Sequence, residues 1–169
     1  MPSEGYKTEL KLVSSANDVW GAIFAATRIY PAVLPDVYEE ITSTRRDGYS
    51  EGSMRKITYS PAVGFNKAAR MAMEEITDVD HETRTVSCSV EDGEFVTKHY
   101  RSFETTTTVA PLPSNEGPRE PGCIVRWSCS YVNAAGSLSP DVVKDLMNKT
   151  FEGLDNHLQK LIHSKTARS

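Results

Sequence analysis

The chain has no block of five or six basic residues, and its 169 residues carry a formal net charge of −4 with a pI near 5.6. Nucleic-acid backbones and anionic bilayers are bound through clustered lysine and arginine, so neither is an expected partner. No stretch approaches the roughly 20 apolar residues of a membrane span. MPSEGYKTELKL lacks the basic start and apolar run of a secretory signal. The expectation is a soluble cytoplasmic protein without membrane insertion. Cysteine is scarce too. Cys88, Cys123 and Cys129 are odd in number and share no metal-ligand spacing with His81, His99, His157 or His163. That excludes a disulfide framework and predicts reduced thiols and no metal site. Cys123 and Cys129, six apart in an extended run, would face the same way about 20 Å apart and cannot bridge. There is no G-x-G-x-x-G and no Walker lysine, so no nucleotide or other cofactor is implied.

What is present is one long amphipathic segment. Within Ser139 to Ile162, residues Val142, Val143, Leu146, Met147, Thr150, Phe151, Leu154, Leu158, Leu161 and Ile162 recur three or four apart, the spacing of one helical face. Ser139 suits the cap, Pro140 the first helical position and Asp141 the positive end of the dipole. The spacing predicts a helix of about six turns, roughly 36 Å long, with 163–169 a flexible tail. Gly153 costs about 1 kcal/mol in mid-helix relative to alanine, which points to a packing role or a place in a cavity floor.

Ahead of that helix, alternation predicts seven strands: Tyr6 to Val13, Val37 to Arg46, Ser53 to Ser60, Lys67 to Thr77, Thr83 to Glu91, Lys98 to Ala110 and Cys123 to Val132. Residues 16 to 35 read as two short helices, capped by Ser14 or Ser15 and interrupted by Pro31 and Pro35. The expected class is α+β: one domain over 1–169, a curved antiparallel sheet holding a long helix. RDGYSEGS between the second and third strands reads as a turn served by Gly48 and Gly52. Its amides could form an anion nest, but no helix follows it.

The strand rows show which side chains face inward. Tyr131, Cys129, Trp127 and Val125 share one face, as do Phe103, Thr105 and Thr107, Val86 and Cys88, Arg55, Ile57 and Tyr59, and Ala69, Met71 and Met73. Threonine, cysteine and methionine among tryptophan and tyrosine fill space less well than leucine, isoleucine and valine. The rows predict either an adaptable ligand cavity or an irregular core. The candidate ligand-binding set is these residues without Ala69, joined by Phe24, Tyr30, Met147 and Phe151. Glu39 is in phase with Val37 and Ile41 unless a bulge turns it to water, and His99 and Arg101 continue the Phe103 row toward the sheet edge. The Tyr59 and Tyr131 hydroxyls suit ligand orientation. No residue is assigned a catalytic role.

WGAIFAATRIYPAVLPDVY, EGSMRKITYSP, EEITDVDHETRTVSCSVEDG, YRSFETTTTVAP, VRWSCSY and PDVVKDLMNKTFEGLDNHL together resemble the plant major latex protein branch of the birch-pollen-allergen (Bet v I) superfamily, in register from about Gly5 to Leu161. The resemblance implies a helix-grip, START-like fold: seven antiparallel strands and two short helices around a long C-terminal helix and a hydrophobic cavity. It also implies cytosolic plant proteins that bind steroid, lipid, flavonoid or alkaloid ligands in defence or stress. Two departures stand out. The superfamily's glycine-rich loop keeps only Gly48 and Gly52, which weakens a phosphate or ribonuclease role, and the loop Leu112 to Pro121 is longer than expected. The gate and latch motifs of the related abscisic acid receptors are absent.

The sequence thus supports a carrier of a small hydrophobic or amphipathic molecule, acting as a monomer or weak dimer. The alternatives are a cyclase or isomerase using the same cavity, and a stress-linked protein whose partner docks on its surface. Burying about 300 Å² of apolar ligand yields roughly 7 kcal/mol before association costs of at least ~4 kcal/mol, so selectivity has to come from polar tips such as Arg55, Tyr59, Thr105, Thr107 and Tyr131.

Overall fold

Alternation at one end of the chain and helical periodicity at the other set the architecture. The computed structural model describes residues 4–64, 70–93, 100–113, 121–133 and 140–167. The strands are β1 (Glu4–Leu12), β2 (Tyr38–Arg45), β3 (Met54–Tyr59), β4 (Met71–Asp80), β5 (Thr85–Asp92), β6 (Tyr100–Pro111) and β7 (Cys123–Asn133). They form one antiparallel sheet in the order β1-β7-β6-β5-β4-β3-β2. Successive strands from β2 to β7 are neighbours, as short connections favour. β1 joins beyond β7, so β1 and β2 are opposite edges, and the two helices between them, α1 (Ala16–Phe24) and α2 (Ala26–Val33), run from one edge to the other. The long helix α3 (Pro140–Ala167) completes the expected α+β helix-grip arrangement.

Local chemistry explains the helix ends. The Ser15 hydroxyl accepts from the Asp18 amide at 3.2 Å and caps α1. The break between the two short helices falls at Ala25, and Pro31 lies inside α2, so the expectation that proline makes the interruption is corrected. α3 spans 28 residues, about 42 Å. It continues through 163–167, which were expected to be tail, with Lys165 favourably placed at the negative end of its dipole. The expected Ser139 cap lies outside the described residues, as do most of the loop 112–121 and the end of the tail. Leu161 and Ile162, 46% and 43% exposed, show where the apolar stripe runs past its cover.

Three contacts seat α3. The Asp155 carboxylate accepts from the Ser14 hydroxyl (2.6 Å), the Ser14 amide (2.9 Å) and the Val13 amide (3.1 Å), and Gln159 Nε2 donates to the Ser14 hydroxyl at 3.0 Å. Thr150 donates to the Leu146 carbonyl at 2.9 Å and therefore accepts from the Tyr38 hydroxyl, also at 2.9 Å. A Cβ on Gly153 would stand 2.1 Å from Leu34 Cδ2, so this glycine serves packing, bringing α3 close to the end of α2.

Asp155→Ala should lower stability by about 2 kcal/mol, since it removes the acceptor for the buried Ser14 hydroxyl and amide, as read by urea unfolding. In Gly153→Ala the helix-propensity gain of about 1 kcal/mol should be outweighed by a repacking cost of about 1–3 kcal/mol at Leu34. In a Leu34→Ala background the same substitution should become stabilising.

Candidate functional site

Under α3 the inner face of the sheet is incompletely filled. A cavity of about 100 Å³ is lined by Ile23 of α1, Tyr30 of α2, Tyr38 and Ile41 of β2, Arg55, Ile57 and Tyr59 of β3, and Ala72 and Glu74 of β4. Val86, Cys88 and Val90 of β5, Phe103, Thr105 and Thr107 of β6, Trp127 of β7, and Val143, Leu146, Met147 and Phe151 of α3 complete the wall. It is smaller than the engineered pocket of about 150 Å³ that takes benzene, and far below the roughly 300–1,000 Å³ of drug-sized sites. As it stands it suits a few waters, and a single ring would enter with small movements of side chains such as Met147.

The wall carries one ion pair. Antiparallel register sets Arg55 opposite Glu74, and the guanidinium, through Nε and Nη2, meets a single Glu74 carboxylate oxygen, with both side chains about 15% exposed. Desolvation, the largest effect, would push the Arg55 pKa down, but the Glu74 carboxylate, together with Cys88 and Tyr30, outweighs it and holds the guanidinium charged, above its ordinary value. Arg55 Nη2 also reaches Cys88 Sγ at 4.0 Å. Burial, then Glu74, pushes the Cys88 thiol up to about 12, with Arg55 opposing. Burial likewise raises Tyr30 and Tyr59 and pushes Tyr38 up to about 12 despite its bond to Thr150. The ring centroids of Tyr30, Tyr38 and Tyr59 form a row at 5.1 and 5.7 Å. The wall thus combines the Arg55–Glu74 ion pair with three phenols that burial keeps uncharged.

The sequence profile of the pathogenesis-related protein Bet v 1 family matches residues 1–161. The chain belongs to this family. Among solved structures, norcoclaurine synthase from Thalictrum flavum, in complex with dopamine and hydroxybenzaldehyde, superposes with a TM-score of 0.71 at 16% identity, covering 94% of this chain and 88% of that one. Major latex-like protein 151 from Panax ginseng superposes with a TM-score of 0.71 at 20% identity, covering 92% and 97%. At such identities the likeness concerns the fold. No curated protein matches the sequence.

In this Bet v 1 family member, the candidates Tyr30, Arg55, Ile57, Tyr59, Val86, Cys88, Phe103, Thr105, Thr107, Trp127, Met147 and Phe151 come together around the cavity. Six others do not. Met71 and Met73 pair with Thr58 and Lys56 on the opposite face of the sheet, and Ala72 and Glu74 face inward instead. Phe24 is one helical step past Ile23 and packs outside against His81 (4.7 Å), Trp20 (5.3 Å) and Tyr49 (5.5 Å). Val125, Cys129 and Tyr131 lie on the expected face in filled core, with Tyr131 against Tyr100 and Phe103 and Cys129 beside Tyr6. Sequence reasoning missed Tyr38 and Glu74. A bulge between Tyr38 and Glu40 leaves Glu39 in water, ion-paired to Arg70 at 2.7 Å. Arg101 is exposed, while Ala69 and His99 lie outside the described residues.

In the turn between β2 and β3, the amides that could form an anion nest are already taken. The Asp47 carboxylate accepts from the Ser50 amide (2.8 Å), the Tyr49 amide (2.9 Å) and the Ser50 and Ser53 hydroxyls. These bonds, the amides foremost, hold it well below the usual carboxylate range. Among the described residues no cluster could hold a metal and no helix is long and apolar enough to cross a membrane.

A thiol raised from 9.0 in the unfolded chain to about 12 in the fold stabilises the native state below pH ~9 and loses that contribution as pH climbs toward ~12. Thermal melts should therefore fall across that window, and more shallowly in Cys88→Ala. All three cysteines are buried and free, so thiol reagents at pH 8 should modify them only on unfolding.

Proposed function

We propose that this Bet v 1 family member binds and carries small hydrophobic or amphipathic molecules in the space between α3 and the sheet. The observation that supports this is the unfilled, mostly apolar wall at the centre of the fold, where close packing is the norm. The ligands proposed are of steroid, lipid, flavonoid or alkaloid type, in a cytoplasmic setting of defence or stress. The larger of these exceed about 100 Å³ and would enter only with movement of side chains such as Met147 and Phe151.

A catalytic reading rests on Glu74, the carboxylate in the cavity wall, and on the synthase among the structural neighbours. Proton transfer by Glu74 would first require its release from Arg55, which favours carriage over chemistry.

An environment-sensitive apolar dye, displaced by members of those classes, provides the test. Ala72→Leu, which fills the cavity from β4, should weaken dye binding at least about tenfold, roughly 1.4 kcal/mol. Met73→Leu, one residue along on the outer face, should leave it unchanged. Equal effects of the two, or none from Ala72→Leu, would place the dye elsewhere.

A further inference from the structure

The Tyr30 side chain stands out on the cavity wall. It is 7% exposed, its ring is fixed against Tyr38, and among the described residues its hydroxyl has no hydrogen-bond partner. Native interiors rarely leave such a group unpaired, because its lost hydration goes uncompensated. Tyr30 lines the same cavity as Arg55 and Glu74, and both charges act on its phenol, so the three form a polar spot in an otherwise largely apolar wall. Within that spot the two full charges are already spent on each other.

We propose that Tyr30 and the Arg55–Glu74 pair act as a polar anchor that selects small uncharged ligands carrying a hydroxyl or carbonyl oxygen on an apolar body, and rejects carboxylates and ammonium ions. The inference rests on the cavity-binding reading. A carboxylate would find the guanidinium charge already balanced and the Glu74 charge close by in a poorly screened interior. An ammonium ion would meet the converse: an already balanced carboxylate beside a cation. Either ion would also shed its hydration on entering. A neutral oxygen bonds the Tyr30 hydroxyl and lies against the ion pair without adding charge. Its apolar body covers Val86, Phe103 and Met147. The volume of about 100 Å³ limits that body to about one ring.

Four probes of nearly equal size separate these effects: p-cresol, toluene, benzoate and benzylamine, titrated at pH 7 by ligand-observed NMR into wild type, Tyr30→Phe and Glu74→Gln. In wild type, p-cresol should bind about tenfold tighter than toluene and at least about tenfold tighter than either ion. Tyr30→Phe should bring p-cresol down to the level of toluene and leave toluene unchanged. Glu74→Gln frees the guanidinium and should strengthen benzoate about tenfold or more over wild type. Toluene matching p-cresol would mean that water satisfies Tyr30, and would overturn the anchor. So would benzoate matching p-cresol in wild type, or a p-cresol to toluene ratio unmoved by Tyr30→Phe. Should Glu74→Gln fail to fold, the wild-type ratios and Tyr30→Phe decide alone. If all four probes bind alike, cavity binding stands and the anchor falls; if none binds, the cavity reading itself fails and takes the anchor with it.

Discussion

The structure depends on holding a long amphipathic helix against a sheet without letting the two close completely. Hydrophobic burial drives α3 onto the sheet, and a uniformly greasy contact would collapse into any void it could reach. Polar pins of fixed length oppose that. Asp155 ties α3 to the β1–α1 corner through Ser14, and Thr150 is bonded to Tyr38 of β2. Directional bonds at two heights along the helix hold it in place over the sheet, and a cavity remains between the two.

Into that gap the sheet directs an ion pair, which a fold seeking only stability would do better without. Desolvating two charges costs more than their attraction commonly returns, and apolar replacements of equal volume are often neutral or stabilising. Arg55 and Glu74 persist at about 15% exposure because register places them side by side, with Cys88 and three tyrosines as polarisable, hydroxyl-tipped neighbours. Removing either partner leaves an uncompensated charge, so the pair behaves as one unit, electrically neutral to anything entering beside it.

Much of the fold was legible because each element stated its own period. The α3 stripe, the seven alternating runs, the Ser15 cap and Pro140 at the start of α3 are local signals. The site was legible only in part. In β4 the apolar residues change phase: Met71 and Met73 fall on one face and Ile76, 1% exposed, on the other. A phase conflict of this kind is resolved by the partner strand, since a slip of one residue exchanges the faces. Glu74 could not be read as inward from its own strand, because a lone carboxylate facing a core is unfavourable until Arg55 across the register answers it. Tyr131 and Cys129 show the complementary limit. Alternation gives the face of a side chain, while whether it meets a cavity or the rings of Phe103, Tyr100 and Tyr6 depends on strands far off in sequence.

The pins also bear on how the cavity can adapt. Methionine on β4 would have lent the wall flexibility, but Met71 and Met73 face outward, and Met147 is the methionine that reaches the cavity among the described residues. Lifting α3 would break bonds at Thr150 or Asp155, each with a buried or half-buried partner. Rotation of Met147 and Phe151 breaks none. Side-chain movement is thus the cheaper response to a ligand, and it enlarges the space by increments rather than by opening the fold. A cavity that grows this way favours ligands near one ring in size and binds larger ones only at increasing cost in packing and in pins. Size and the neutral polar spot together, more than hydrophobicity alone, set what the wall can select.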